Sequence, residues 1–219
     1  MRLLIRVLNP HFHDISVNGR RILVSFHFFM KMQPSQRPGP SITDYTLNIF
    51  RKHAIHAIFL NGAMMIPEKT FVCGIYHTIK DMDNNNIHAS PVFALNVLMH
   101  AYCTSQVNML KEKVIPGSFH DALDDESPIV MILVSFNGVK ENHDEILDEV
   151  QRDFLIEPSD VQDEKIEVDA DKISNVIDSI YARNSQVGMI ASKLSDNEWI
   201  NKLLYSKMAL YSLSLQLKC

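Results

Sequence analysis

Glycine is scarce in this sequence, with only seven residues among 219, and no two of them are close enough to form a phosphate-binding loop. Walker and dinucleotide-binding loops need clustered glycines, because only glycine lets the backbone amides approach the anion closely. The sequence therefore argues against nucleotide-dependent enzymes of these two types.

Cysteine is also sparse, at Cys73, Cys103 and Cys219 only. An odd and thinly spread set does not resemble the dense, even pattern of a secreted disulfide scaffold. The apolar start of the chain is interrupted by Arg6 and ends at Pro10, so it predicts a strand rather than a signal peptide. No stretch approaches the roughly 20 apolar residues that span a bilayer. We therefore expect no transmembrane segment and a reducing, cytoplasmic location, with the nucleus as an alternative.

Positive charge is not in excess, since 21 Lys and Arg face 26 Asp and Glu and the formal net charge is −5. The densest basic groups are pairs such as Arg20 with Arg21, Arg51 with Lys52, and Lys111 with Lys113. A protein that follows a phosphate backbone needs a broader basic stripe. We therefore expect no general nucleic-acid binding.

The first half of the chain has both strand and helix signals. Strands are predicted at 2–8 and 21–30, with Asn18-Gly19 as a turn between them. Ser41 and Asp44 form a capping box for a helix predicted to run to Leu60, where Asn61-Gly62 would end it. Residues 63–79 are predicted to be strand, and Asp81 to Asn86 a polar turn. Residues 91–103 fit a buried strand or a buried helix.

The second half begins with the clearest central strand, at 128–136, ended by Asn137-Gly138. A helix capped by Asn142 and Glu145 follows, with its apolar stripe at Ile146, Leu147, Val150 and Phe154. An acidic linker after Pro158 then leads to amphipathic helices. The prediction is an α+β fold with a mixed or antiparallel, sandwich-like sheet and an inserted helix. Its domains would be 1–158 and a helical extension at 159–219, either packed on the same core or separate.

Ten histidines raise the question of a metal site. His53 and His56 are three residues apart on the predicted helix, and Cys73 with His77 and His100 with Cys103 are also closely spaced. Zinc needs three or four convergent ligands, however, and neither HExxH nor paired CxxC motifs occur. Serine lies in no nucleophile elbow either. The sequence thus favours a protein without cofactor or catalytic activity, with a histidine-based metal-dependent hydrolase as an alternative.

The last predicted helix is apolar over an unusually wide arc, at Trp199, Leu203, Leu204, Met208 and Tyr211. A helix that is apolar nearly all round must be covered by something. It either closes the core of this chain or binds a partner, including a second copy.

Four segments resemble, in the same order, the first nonstructural protein of the pneumoviruses. Residues 4–7 resemble its opening strand, 51–62 its first helix with an Asn-Gly stop, 84–87 its polar turn, and 146–158 its closing helix. The resemblance covers about residues 1–158 and leaves the tail unmatched.

The resemblance implies a β-sandwich-like fold that is shared with the amino-terminal half of the matrix proteins of negative-strand RNA viruses. It also implies a viral accessory protein that antagonises innate immune (interferon) signalling by binding host proteins, without catalysis. The family's functional surface, the closing helix, would here present Ile146, Leu147, Val150, Phe154 and Leu155. A viral matrix or assembly protein is the alternative that the longer tail suggests.

Overall fold

The computed structural model describes residues 4–9, 12–29, 41–85, 90–104, 106–116, 129–154 and 161–162. Their helices and strands alternate without a regular βαβ repeat. In chain order they are β1 (Leu4–Asn9), β2 (Phe12–Val17), β3 (Arg20–Phe29), α1 (Ile42–His53), β4 (His56–Asn61), α2 (Glu68–Asn85), α3 (Ser90–Ala101), α4 (Val107–Met109) continuing into a π-helical turn (Leu110–Val114), β5 (Ile129–Phe136), α5 (Lys140–Asp153) and β6 (Val161–Gln162).

The described strands form one antiparallel sheet in the order β1-β2-β3-β5-β4, and β6 pairs with the end of β3. β2 and β3 form a hairpin whose turn is Asn18-Gly19, both with positive φ. That left-handed backbone is the geometry of tight hairpin turns, and it explains the Asn-Gly pair. The predicted α+β class with an antiparallel sheet is confirmed.

Helices cover both faces of this sheet, so alternate residues of the central strands enter two separate cores. On the α2 face, Val24, Phe26, Val130 and Ile132 pack with α2, α3 and the π-helical turn. On the α5 face, Phe29, Met131 and Leu133 join residues of α1 and α5. The sheet is therefore sandwiched between helices, and among the described residues there is no second sheet.

α1 begins where the sequence predicts but ends earlier. The Ser41 side chain accepts a hydrogen bond from the Asp44 amide at 3.1 Å, which confirms the N-cap. The helix then stops at Ala54, whose φ of 55° makes it a left-handed C-cap. The predicted extension to Leu60 and the Asn61-Gly62 stop were wrong, because β4 occupies this stretch. β4 is buried on both faces, and periodicity does not separate such a strand from a buried helix.

The predicted strand at 63–79 and the polar turn after it were also wrong, because most of both belongs to α2. Phe71, Ile75 and Ile79 are four residues apart, as on one face of a helix, and they are buried against the sheet. Residues 91–103, for which the sequence left strand and helix open, are mostly helical, because α3 covers most of them. α2 and α3 approach closely at Gly74, where a Cβ atom would lie 2.8 Å from the Val97 carbonyl oxygen.

The remaining corrections concern the strands and α5. β2 was missed, because the single strand predicted at 2–8 is followed by a second at Phe12–Val17. The predicted central strand is confirmed as β5, and Asn137 with φ 55° ends it. α5 starts at Lys140 after Val139, without a side-chain cap, so the Asn142 cap was wrong. The predicted linker lies mostly outside the described residues, and the tail helices lie entirely outside them.

Candidate functional site

The apolar stripe predicted to bind partners lies on α5 and faces inward. Ile146 and Val150 are fully buried and Phe154 is 5% exposed, while Leu147 is half-buried against the same core. In this arrangement the stripe attaches α5 to the sheet, and a partner could reach it only if α5 moved. Leu155 lies outside the described residues. So do the five predicted members of the surface on the tail helix, which are Trp199, Leu203, Leu204, Met208 and Tyr211.

A buried hydrogen-bond network further fixes α5 to the sheet. The Ser25 hydroxyl lies 2.7 Å from His143 Nδ1, and the Ser135 hydroxyl lies 2.7 Å from His143 Nε2. Ser25 also lies 2.8 Å from His27 Nε2, which extends the chain to four side chains. Burial lowers the pKa of His143 to about 4, so its imidazole is neutral at pH 7. All four side chains of the network are buried, which indicates a structural role for this serine–histidine contact.

Polar contacts at the surface join α5 to α1. Glu149 accepts hydrogen bonds from Lys52 at 2.5 Å and from His53 at 3.0 Å, and the Tyr45 hydroxyl donates to Asp153 at 2.9 Å. Burial would raise the pKa of Glu149, but the bonds from Lys52 and His53 outweigh it and lower the pKa. Burial and the contact with Asp153 raise the pKa of Tyr45. These contacts hold the two helices as one layer.

The histidine and cysteine pairs do not converge into a metal site. His53 lies on α1 and contacts Glu149, whereas His56 lies on β4, so the predicted sharing of one helix was wrong. His77 stacks on His100 at 5.6 Å between ring centroids, and Asp81 bonds His100 at 2.9 Å. Burial raises the pKa of Cys73 and so disfavours its thiolate. Among the described residues, no three His, Cys, Asp or Glu side chains are placed to hold a metal ion.

An apolar groove of about 240 Å³ lies at the edge of the sheet, where α1, β4, α3 and the π-helical turn meet. Among the described strands β4 is the last in the order, and α1 and α3 enclose this edge. We call this space the β4 groove. Its walls and floor are formed mainly by Ile42, Thr46, Ala57, Ile58, Phe59, Leu95, Leu98 and Ile115.

The rim of the β4 groove differs from its floor. The floor residues Ala57, Ile58 and Phe59 are at most 2% exposed, so little strand backbone is open to an added strand. Val92, at the rim, is 41% exposed and is one of the two large exposed apolar residues in the described part of the chain. Lys111 is the charged residue of the lining and is also exposed. Among the described residues, the lining of the groove is thus mainly apolar, with one cation, Lys111, at its entrance.

The sequence contains one signal that indicated this region without locating it. In α3 (Ser90–Ala101) only Ser90, Asn96 and His100 are polar, and such a helix needs covering on more than one side. Its buried side packs on the sheet through Phe93 and Val97, whereas Val92 and Leu95 border the groove, and Leu98 belongs to both. Only the folded chain shows which side remains open.

No family model matches the chain, and no curated protein is significantly similar to it. The resemblance to the pneumovirus nonstructural protein therefore stays a prediction. One of the features that carried it, a first helix stopped by Asn61-Gly62, differs from the structure, in which α1 ends at His53. Within the described residues no helix is long and apolar enough to cross a membrane.

Proposed function

We propose that this protein is a viral accessory protein that antagonises innate immune signalling by binding a host protein in the β4 groove. The observation that supports binding is the apolar groove itself, with exposed Val92 and Lys111 at its rim. The viral and immune parts of the proposal rest on the sequence resemblance. The binding surface differs from the α5 stripe that the resemblance implied, because that stripe lies in the core.

The size and lining of the groove define the segment that it would take. A dry apolar cavity of about 150 Å³ accommodates benzene, so about 240 Å³ accommodates one large aliphatic or aromatic side chain. Buried anchors of this kind supply much of the energy of protein interfaces. Lys111 would favour a carboxylate beside the anchor, since opposite charges at a rim favour encounter and register. The expected ligand is therefore a host segment with an apolar anchor next to Asp or Glu.

A peptide-display selection against the purified chain tests this recognition directly. Enriched peptides should carry Leu, Ile, Phe or Trp within a few residues of an acidic side chain. Val92→Asp should weaken their binding at least tenfold, because it places a like charge near the ligand's carboxylate and a polar group at the apolar entrance. Val139→Asp is the matched control, since Val139 is the other large exposed apolar residue in the described ranges, at 48%, and does not line the groove.

An interferon reporter in host cells tests the biological part. Wild type and Val139→Asp should suppress interferon induction equally, and Val92→Asp should lose suppression at equal expression. If both variants suppress as well as wild type, the groove is not the functional surface. If wild type itself leaves induction unchanged, the immune role is wrong even where peptides bind. Sedimentation of the same three proteins tests self-association, and oligomers that only Val92→Asp dissolves would assign the groove to a second copy.

A further inference from the structure

A second cavity lies at the start of β4 and shares no lining residue with the β4 groove. Its volume is about 320 Å³, within the range of small-molecule sites. Side chains from the ends of α1, β4 and β5 and from the last turns of α2 surround it. We call it the His56 pocket, lined by Phe50, His56, Ile79, Met82 and Phe136, with Arg20 and Asp83 at its entrance.

His56 is held rigidly in the wall of this pocket. Its imidazole is stacked between Phe50 and Phe93, at 4.7 and 4.1 Å between ring centroids, and meets the edge of Phe136 at 5.8 Å. The residue is only 3% exposed. Rotation by 180° about the Cβ–Cγ bond would keep the ring between its two phenyl neighbours while moving Nδ1 to the opposite edge. Stacking therefore fixes the plane of the ring but not the direction of its nitrogens.

One nitrogen of the buried imidazole lacks a hydrogen-bond partner in the part of the chain that the structure describes. His56 Nδ1 is buried and has no hydrogen-bond partner among the described residues. Leaving such a group unpaired costs free energy, and buried polar atoms in proteins almost always have a partner. Burial lowers the pKa of His56 to about 4, so the ring is neutral at pH 7 and carries one donor and one acceptor nitrogen.

The entrance of the pocket is polar and already organised. Arg20 donates to Asp83 at 2.9 Å, and the Asn18 side chain donates to the same carboxylate at 2.9 Å. The Arg20 side chain is 57% exposed, and that of Asp83 25% exposed. The charges at the entrance are thus largely matched, and the space behind them is aromatic and aliphatic. A ligand with a full charge would have to compete with an existing ion pair.

We propose that the His56 pocket binds a small, uncharged hydroxy-aromatic molecule, with its ring against Phe50 and Phe136 and its hydroxyl bonded to His56. A hydroxyl both donates and accepts, so it satisfies either tautomer of the neutral imidazole. An aromatic ring matches the phenyl walls, where ring contacts add to the burial of apolar area. The site is independent of the β4 groove, and each proposal can fail without the other.

Titration with phenol, toluene and benzoate tests the assignment. Phenol and toluene have nearly the same shape, and benzoate adds a charge. Phenol should bind about tenfold more tightly than toluene, the factor that one buried hydrogen bond contributes, and benzoate should bind more weakly than phenol. Equal binding of phenol and toluene would remove the role of His56. Preference for benzoate would make the pocket an anion site, and absence of phenol binding at 10 mM, roughly the weak end for a fragment of this size, would overturn the proposal.

Three variants locate the binding. His56→Phe retains an aromatic ring between Phe50 and Phe93 and should abolish the preference for phenol over toluene. His77→Phe is the matched control, because His77 is a partly buried, ring-stacked histidine that does not line the pocket, and it should keep that preference. Met82→Trp should fill the pocket and weaken phenol and toluene alike. In wild type, phenol should shift one histidine signal in the NMR spectrum of ¹³C-histidine-labelled protein, and no shift would contradict the site without any variant.

Discussion

Two buried histidines should make the stability of this fold depend steeply on pH. Burial lowers the pKa of both His56 and His143 from 6.5 to about 4. The unfolded chain then binds more protons than the folded chain between these values, so stability is full above pH 6.5 and falls as the pH drops toward 4. At pH 5 each histidine costs about 2 kcal/mol of unfolding free energy relative to pH 7.5. The pair therefore costs about 4 kcal/mol, much of the stability of a typical domain.

Urea denaturation followed by circular dichroism at pH 7.5, 6.5, 5.8 and 5.0 measures this slope. His56→Phe and His143→Gln should each remove up to half of it, and because slopes are compared, any change in stability at pH 7.5 does not affect the result. Glu149 adds little in this window, because its pKa is 4.5 in the unfolded chain and lower in the folded chain, and both values lie below pH 5. The lowered pKa of His77 acts in the same direction as the pair. A loss below about 1 kcal/mol in wild type, or a full slope in both variants, would refute the reasoning.

Three substitutions test the backbone geometry by chemical denaturation. Gly74→Ala should cost about 2 kcal/mol, because its Cβ would lie 2.8 Å from the backbone oxygen of Val97, and a variant as stable as wild type would contradict the close helix contact. Gly19→Ala should cost about 1 kcal/mol through its φ of +78° alone, since nothing lies within 4 Å, and a larger loss would indicate an unseen contact. Ser41→Ala should cost about 1 kcal/mol by removing the bond to the Asp44 amide, whereas Ser41→Asp should retain most of it.

Local signals in the sequence predicted the features that depend on a few neighbouring residues. The Asn18-Gly19 turn needs left-handed backbone, and the Ser41 cap needs one side-chain oxygen next to a free amide. β5 was recognisable because a long run of β-branched and aliphatic residues between two turn signals is typical of a central strand. In each case the cause lies within about ten residues of the effect.

β4 and α2 were assigned wrongly because tertiary packing overrode local preference. β4 follows α1 after only two residues and is buried on both faces, so its apolar residues continue the helical pattern without a visible break. α2 contains Phe71, Val72, Ile75 and Tyr76, residues that favour strands when counted singly. Their spacing nevertheless places the first three on one helical face that packs against the sheet.

The candidate sites were beyond sequence reasoning for a related reason. An amphipathic stripe such as that of α5 indicates that something covers it, and here the sheet of the same chain does so. The β4 groove brings together Ile42, Phe59, Leu95 and Ile115, which are separated by up to 73 positions in the chain. The enclosure of the His56 ring depends on three phenylalanines from different elements. No local pattern encodes either arrangement.

Both cavities border β4, and for the β4 groove the different closure of the two sides of the sheet offers a reason. On the β2 side, a polar contact joins the sheet to α2, with His13 bonded to Glu68. On the β4 side the strand is enclosed by α1 and α3, which approach it from opposite faces and meet it through apolar side chains. Two helices on opposite faces of one strand leave a cleft along the edge of that strand, because neither helix can fill the space beyond it, and the β4 groove lies in this cleft. The His56 pocket has a different origin, because it lies at the end of the sheet, where the start of β4 and the end of β5 meet the last turns of α2.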